Sequence, residues 1–154
     1  MAQTRVRWVF LAYRLPREPS TPRITLWRKL RRVGAAQLLD GLVALPAEPR
    51  TKEQFEWLAD EIVEAGGDAS LWLAEAADRS VEADLIAQIR SRAAGDYQAL
   101  LDEIEVLGDD LSPRTVGRMR RELQRIGHRD FFPPVEREAA HRAVNEAARR
   151  ERVP

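Results

Sequence analysis

A strand, a cationic helix and a hairpin follow one another within residues 7–46, and this order constrains the fold more than any other feature of the chain. Residues 6–15 are rich in aromatic and β-branched side chains and apolar on both faces, which is typical of a central strand. Thr21 can cap a helix whose first position is Pro22. Gly34 then supplies the signal that ends this helix.

The hairpin signal is the dipeptide Asp40-Gly41, which separates two short apolar runs, residues 36–39 and 42–45. Asp-Gly between apolar runs favours a tight two-residue turn in which both positions adopt positive φ. We therefore expect two adjacent antiparallel strands here rather than one unbroken strand.

A second helix and a last strand complete the pattern. Thr51 with Gln54 is a capping box that predicts the helix start, and residues 70–76 form the last apolar run. The order β-α-β-β-α-β is that of the ferredoxin-like fold. We predict an α+β domain over residues 1–78, in which a four-stranded antiparallel sheet carries two helices on one face.

The rest of the chain is predicted to be helical. Apolar residues recur at helical spacing from about 81 to 107 and from 113 to 127, and an Ala-rich charged segment covers about 135–149. We expect residues 79–154 to form a C-terminal helical extension packed on the first domain.

Composition excludes several classes of protein. The 154 residues include no Cys, which excludes disulfides, thiolate catalysis and Cys-based metal sites. Only two His are present, and no set of three or four metal ligands can be assembled from them and their neighbours. No apolar run approaches the roughly 18 residues that a membrane span needs. We expect a cytoplasmic protein without a metal or cofactor and without a membrane partner.

The net charge of zero conceals three segments of alternating sign. Residues 1–50 carry ten basic and three acidic side chains, residues 51–111 carry four and sixteen, and residues 112–154 carry eleven and six. Two basic segments thus flank an acidic one. This pattern predicts either contact of the basic ends with a polyanion or their pairing with the acidic middle segment.

The first basic segment concentrates its charge on the predicted helix after residue 21, as Arg23, Arg28, Lys29, Arg31 and Arg32. Lys and Arg on one helix can neutralise DNA phosphates and release counterions. The alternative is a solvated helix face whose Arg stems cover apolar neighbours.

The second basic segment forms a stripe, because Arg114, Arg118, Arg121 and Arg125 recur at i, i+4, i+7 and i+11. Like charges at such spacing repel one another by roughly 0.2–0.5 kcal/mol per pair, so the stripe indicates an anionic partner. That partner is either DNA or the acidic helix of this chain, and the spacing leaves both open.

The four Trp residues, Trp8, Trp27, Trp57 and Trp72, are predicted to be core anchors rather than base-stacking platforms. The chain contains no Ser/His/Asp triad signature, phosphate-binding Gly loop or HExxH motif. At the strand end where metal-dependent nucleases of this fold carry an Asp, it offers Tyr13 and Arg14. This difference disfavours a nuclease.

The chain resembles the N-terminal domain of the chromate-resistance protein ChrB over most of residues 6–134. The resemblance is carried by Trp8-Val9-Phe10-Leu11 with Leu15-Pro16, Trp27-Arg28-Lys29-Leu30 with Gly34-Ala35, Asp40-Gly41 with Leu45-Pro46, and Asp130-Phe131-Phe132. Part of this pattern is also similar to the core domains of PaaX-type repressors and CRISPR adaptation nucleases. The Arg-Asp-Phe-Phe sequence favours the ChrB family.

The resemblance implies a two-domain regulator in which this domain binds DNA and a second domain responds to chromate. Our leading hypothesis is therefore a non-enzymatic, homodimeric DNA-binding regulator of chromate or oxyanion resistance. Its expected phosphate contacts are Arg23, Arg28, Lys29, Arg32, Arg114, Arg118 and Arg121. The alternatives are an Arg-rich protein that binds chromate or another oxyanion, a non-catalytic interaction module, and a degenerate nuclease-like enzyme.

Overall fold

The structure is a computed structural model that describes residues 5–153. It contains four strands and five helices within these residues. The strands are β1 (Arg7–Arg14), β2 (Ala36–Leu39), β3 (Leu42–Pro46) and β4 (Asp68–Glu75). The helices are α1 (Thr21–Val33), α2 (Pro49–Glu64), α3 (Arg79–Leu107), α4 (Pro113–Arg129) and α5 (Glu136–Glu151).

The four strands form one antiparallel sheet in the order β2-β3-β1-β4. Cross-strand pairs place Val9 beside Leu45 and Leu73, so these three side chains point to the same face of the sheet. Helix α2 packs against β1 and β4, and α1 packs against α2. The α+β class and the ferredoxin-like arrangement predicted from the order of elements are confirmed.

The chain divides into two compact units, Met1–Gln88 and Ile89–Pro154. The first contains the sheet, α1, α2 and the start of α3, and its buried side chains include Val9, Leu11 and Phe55. The second contains the rest of α3 with α4 and α5. Its core is a cluster of buried residues contributed by all three helices, namely Ala93, Tyr97, Leu100, Ile104, Met119, Leu123, Ile126, Ala140 and Val144.

The hairpin between β2 and β3 is present, but its turn differs from the expected one. Gly41 has a φ of 85°, whereas no residue other than glycine has positive φ in the described chain, so Asp40 does not. Positive φ at the second central residue alone is the φ pattern of a type II turn, in which only that position needs glycine. The strand register also shifts between Gln37 and Leu39. A Cβ at position 41 would lie 2.4 Å from the Tyr13 carbonyl oxygen, so only glycine fits.

Helix α2 begins three residues before the predicted start. Its N-cap is Glu48, and Pro49 occupies the first turn with a φ suited to helix. Thr51 is the third helical residue and accepts the Glu48 N–H through Oγ1 at 3.0 Å, while its hydroxyl donates to the Pro46 carbonyl at 2.6 Å. The capping box therefore joins Glu48 to Thr51, and the predicted pairing of Thr51 with Gln54 is wrong.

The prediction that all four Trp are core anchors is correct for Trp8 alone, which is completely buried. Trp27, Trp57 and Trp72 are exposed by 55%, 66% and 62%. On α1 the buried residues are Leu26 and Leu30, and Trp27 lies about 100° around the helix from Leu26, which moves it off the core face. Trp72 lies on β4, which is an edge strand of the sheet.

Candidate nucleic-acid interface

Helix α1 places a group of cations on the surface of the first unit. Pro22 lies in its first turn, and Gly34 ends it with a φ of 82°. Because Leu26 and Leu30 are buried, the opposite side of the helix faces solvent and carries Arg28 and Arg32. These two residues are four apart and therefore adjacent on the helix surface.

One of the predicted α1 contacts is bound within the protein. The Lys29 ammonium donates to both carboxylate oxygens of Glu61 on α2, each at 2.7 Å. Arg31 lies over the Trp27 ring, with its guanidinium carbon 5.1 Å from the ring centroid. Arg23, Arg28 and Arg32 are exposed and form no salt bridge within residues 5–153. Three of the four predicted α1 contacts are thus available to a partner.

Helix α4 orients the second predicted group. Ser112 caps the helix by accepting the Thr115 N–H at 3.2 Å, and four buried residues fix its inner face. The outer face therefore carries the Arg stripe. Arg118 donates two hydrogen bonds to the Glu103 carboxylate on α3. This hydrogen bonding to Glu103 raises the pKa of Arg118.

Other members of the second basic segment also have acidic neighbours. Arg125 contacts Glu122 at 3.2 Å, and the Arg129 Nε donates to Asp96 on α3 at 2.9 Å. Arg114 and Arg121 are exposed and form no salt bridge in the described part of the chain. Helix α3 thus supplies an internal anionic partner for part of this segment, as the second alternative from the sequence stated.

A cleft beside α1 was not found from the sequence. It measures about 720 Å³ and is bordered by Tyr13 and Arg14 at the end of β1, by Arg23 and Trp27 on α1, and by the turn residue Asp40. In the sequence, Tyr13 and Arg14 are notable only because they stand at the strand end where a nuclease would carry an Asp. The cleft also needs the turn residue Asp40, which lies about 27 residues further along the chain, so the sequence does not indicate it.

The described residues contain neither a metal-ligand cluster nor a membrane-spanning helix. No group of three or more His, Cys, Asp or Glu side chains that could hold a metal ion occurs within residues 5–153. Over the same residues, no helix is long and apolar enough to cross a membrane.

Comparison with known proteins identifies the family. The family model described as "Protein ChrB, N-terminal" matches residues 23–115, which include all of the α1 cations and Arg114. The chain belongs to this family. A curated relative, Protein ChrB of Cupriavidus metallidurans, is 31% identical over 137 residues, which cover 82% of this chain. The chain spans 40% of that relative's length. No solved structure matches the chain.

Proposed function

We propose that this chain is a DNA-binding regulatory domain that serves chromate or oxyanion resistance and contacts DNA mainly through α1. Membership of the ChrB family supports the link to resistance. The observation that supports DNA contact is the state of Arg23, Arg28 and Arg32, which are exposed and have no acidic partner within residues 5–153.

The energetics of α1 favour a polyanion. Arg28 and Arg32 repel each other by a few tenths of a kcal/mol as i, i+4 neighbours, and an anion between them relieves this repulsion. Phosphate contacts by such cations release condensed counterions and make binding strongly dependent on salt. Arg also matches phosphate geometry through two parallel hydrogen bonds.

Helix α4 has a smaller role in this proposal. Arg114 and Arg121 remain available, but Arg118 must first leave Glu103 before it can reach a phosphate. The proposal includes a cytoplasmic location and no enzymatic activity. It also includes a homodimer, because two copies of α1 would reach two half-sites on duplex DNA. Light scattering on the intact chain measures its mass.

The test is a titration of labelled duplex DNA by fluorescence anisotropy at two salt concentrations. The wild type should bind more weakly at the higher salt. The double variant Arg28→Glu/Arg32→Glu should lower affinity about tenfold or more and reduce the salt slope by about two, one for each lost contact.

A matched control is Arg142→Glu/Arg149→Glu, which makes the same charge change at two exposed positions on α5. It should bind DNA nearly as well as the wild type. The proposal fails if the wild type does not bind duplex even at low salt, or if both double variants lose affinity equally.

A further inference from the structure

The cleft beside α1 has the size of a small-molecule site. Its volume of about 720 Å³ lies within the roughly 300–1,000 Å³ of typical ligand pockets. It is far larger than the roughly 30 Å³ that one water molecule occupies in the liquid. A tetrahedral oxyanion has five heavy atoms and would fill only a small part of it.

The backbone at the base of the cleft is fixed. The Tyr13 N–H donates to the Gly41 carbonyl at 2.8 Å, which ties the end of β1 to the β2–β3 turn. The absence of a side chain at Gly41 permits this close approach. A cleft with a fixed base can bind a ligand without a large ordering cost.

The charges around the cleft differ in whether they are already paired. Arg14 is paired with Asp68 at 2.8 Å, and the Asp40 carboxylate accepts from the Gln37 side-chain amide at 3.4 Å. Arg23 borders the cleft and has no salt bridge among the described residues. An anionic group on a ligand would therefore be bound by Arg23.

Tyr13 adds a hydrogen-bond donor. Burial raises the pKa of Tyr13, Asp40 raises it further, and Arg23 opposes the rise. The hydroxyl therefore stays protonated at neutral pH and can donate to an anion.

An aromatic surface lies next to these polar groups. Trp27 and Ile24 border the cleft and remain 55% and 49% exposed, although both are apolar. Arg31 lies over the Trp27 ring and helps to hold it in place. A flat ring packed on Trp27 would remove this apolar surface from water.

From these features we propose that the cleft binds a small anion that carries an aromatic ring, with the ring against Trp27 and the anionic group at Arg23 and Tyr13. Two sources share this chemistry, namely a mononucleotide and an aromatic carboxylate. The cleft shares Arg23 with the proposed DNA contacts. Its test contains no DNA, so failure of this proposal and failure of the DNA-binding proposal are distinguishable.

The experiment is isothermal titration of the intact chain at physiological salt with four probes. Adenosine monophosphate and 2-naphthoate represent the two sources of ring-bearing anion. Inorganic phosphate lacks the ring, and adenosine lacks the charge. At least one ring-bearing anion should bind with a submillimolar Kd, and the two incomplete probes should bind about tenfold more weakly or not at all. The stronger of the two anions identifies the source.

Matched variants locate the site. Arg23→Gln should weaken binding about tenfold, the usual loss when a charge-assisted hydrogen bond is removed. Trp27→Leu should weaken it about fivefold or more, because the stacking surface is lost. Arg17→Gln and Trp57→Leu are controls that remove an exposed Arg and an exposed Trp outside the cleft, and both should bind like the wild type.

Circular dichroism of each variant verifies that the fold is retained. The proposal is overturned if neither ring-bearing anion binds at millimolar concentration. It is also overturned if phosphate alone binds as tightly as adenosine monophosphate, or if Arg17→Gln weakens binding as much as Arg23→Gln.

Discussion

Helices α1 and α4 carry five and six Lys and Arg side chains, yet these cations differ in how many are paired with carboxylates. On α1, Lys29 alone has a salt bridge among the described residues, and it joins Glu61. On α4, Arg118, Arg125 and Arg129 all have acidic partners, two of them on α3. A basic helix face in a sequence therefore does not indicate how many of its cations are available. The acidic residues that the fold brings beside the helix decide that number.

The largest expected contrast between the two helices concerns stability. Met119 on the inner face of α4 is completely buried, and Met119→Ala should cost about 2–5 kcal/mol through lost packing and a cavity. Trp27 on α1 is half-exposed, and Trp27→Ala should cost less than about 1 kcal/mol. Denaturant titrations of both variants measure the difference. A loss above about 2 kcal/mol for Trp27→Ala would place that ring in the core instead of on the surface.

The second contrast concerns DNA. The variant Arg118→Glu/Arg121→Glu should reduce affinity by about threefold, which is less than the roughly tenfold expected for the α1 variant. It should also lower the melting temperature, because the new carboxylate at position 118 would face Glu103, which would have lost its cation. Anisotropy and thermal melting on the same preparations measure both effects. Equal losses of affinity for the two variants would remove the distinction between the helices.

The order of elements could be predicted from the sequence, because each was marked by local chemistry. Pro22 and Gly34 limit α1, and Asp40-Gly41 marks the hairpin, within one position of the observed bounds. The exposure of Trp27 could not be predicted from such local chemistry. The apolar residues of α1 allow two core faces, one with Ile24, Trp27 and Leu30 and one with Leu26 and Leu30. Only tertiary packing selects between these two faces.

The candidate site was predictable only in part for a related reason. The cations of α1 are visible in the sequence, but the pairing of Lys29 with Glu61 joins residues 32 positions apart. The pairing of Arg129 with Asp96 similarly joins two helices. Spacing along one helix contains no information about such partners, and the sequence therefore left both alternatives open.

A partly buried hydrogen bond between α3 and the C-terminal end of α4 makes stability sensitive to high pH. The Tyr97 hydroxyl donates to Asp130 Oδ2 at 2.8 Å, and burial followed by this hydrogen bond raises the pKa of Tyr97 above its usual 10.0. Above pH 10 the unfolded chain therefore loses the proton more readily than the folded chain. Stability should fall as pH rises from 10 towards the folded pKa, by at most about 1.4 kcal/mol per pH unit from this group.

Tyr97→Phe removes both the titration and the hydrogen bond. At pH 7 it should cost about 1–2 kcal/mol, because Asp130 Oδ1 already has no hydrogen-bond partner in the described chain and Oδ2 would lose its own. Between about pH 10 and 11 the variant should lose less stability than the wild type. The alkaline slope of Tyr13→Phe is measured beside that of Tyr97→Phe, because burial also raises the pKa of Tyr13. An identical alkaline slope in wild type and Tyr97→Phe would contradict the assignment.

The smallest expected effect tests the basis of the comparison, which is the pairing of Arg118 with Glu103. Both side chains are partly exposed, so solvent screening limits the coupling to about 0.2–1 kcal/mol. A double-mutant cycle with Arg118→Ala and Glu103→Ala measures it by urea denaturation of four proteins. The cycle for Lys29 and Glu61, a pair of similar exposure in the first unit, is the reference. Both couplings should shrink in about 1 M salt, where the screening length falls to about 3 Å.

If the Arg118 cycle gives zero while the Lys29 cycle does not, Arg118 is free in solution. The α4 stripe would then be as available to phosphate as α1, and the smaller role assigned to α4 would be wrong.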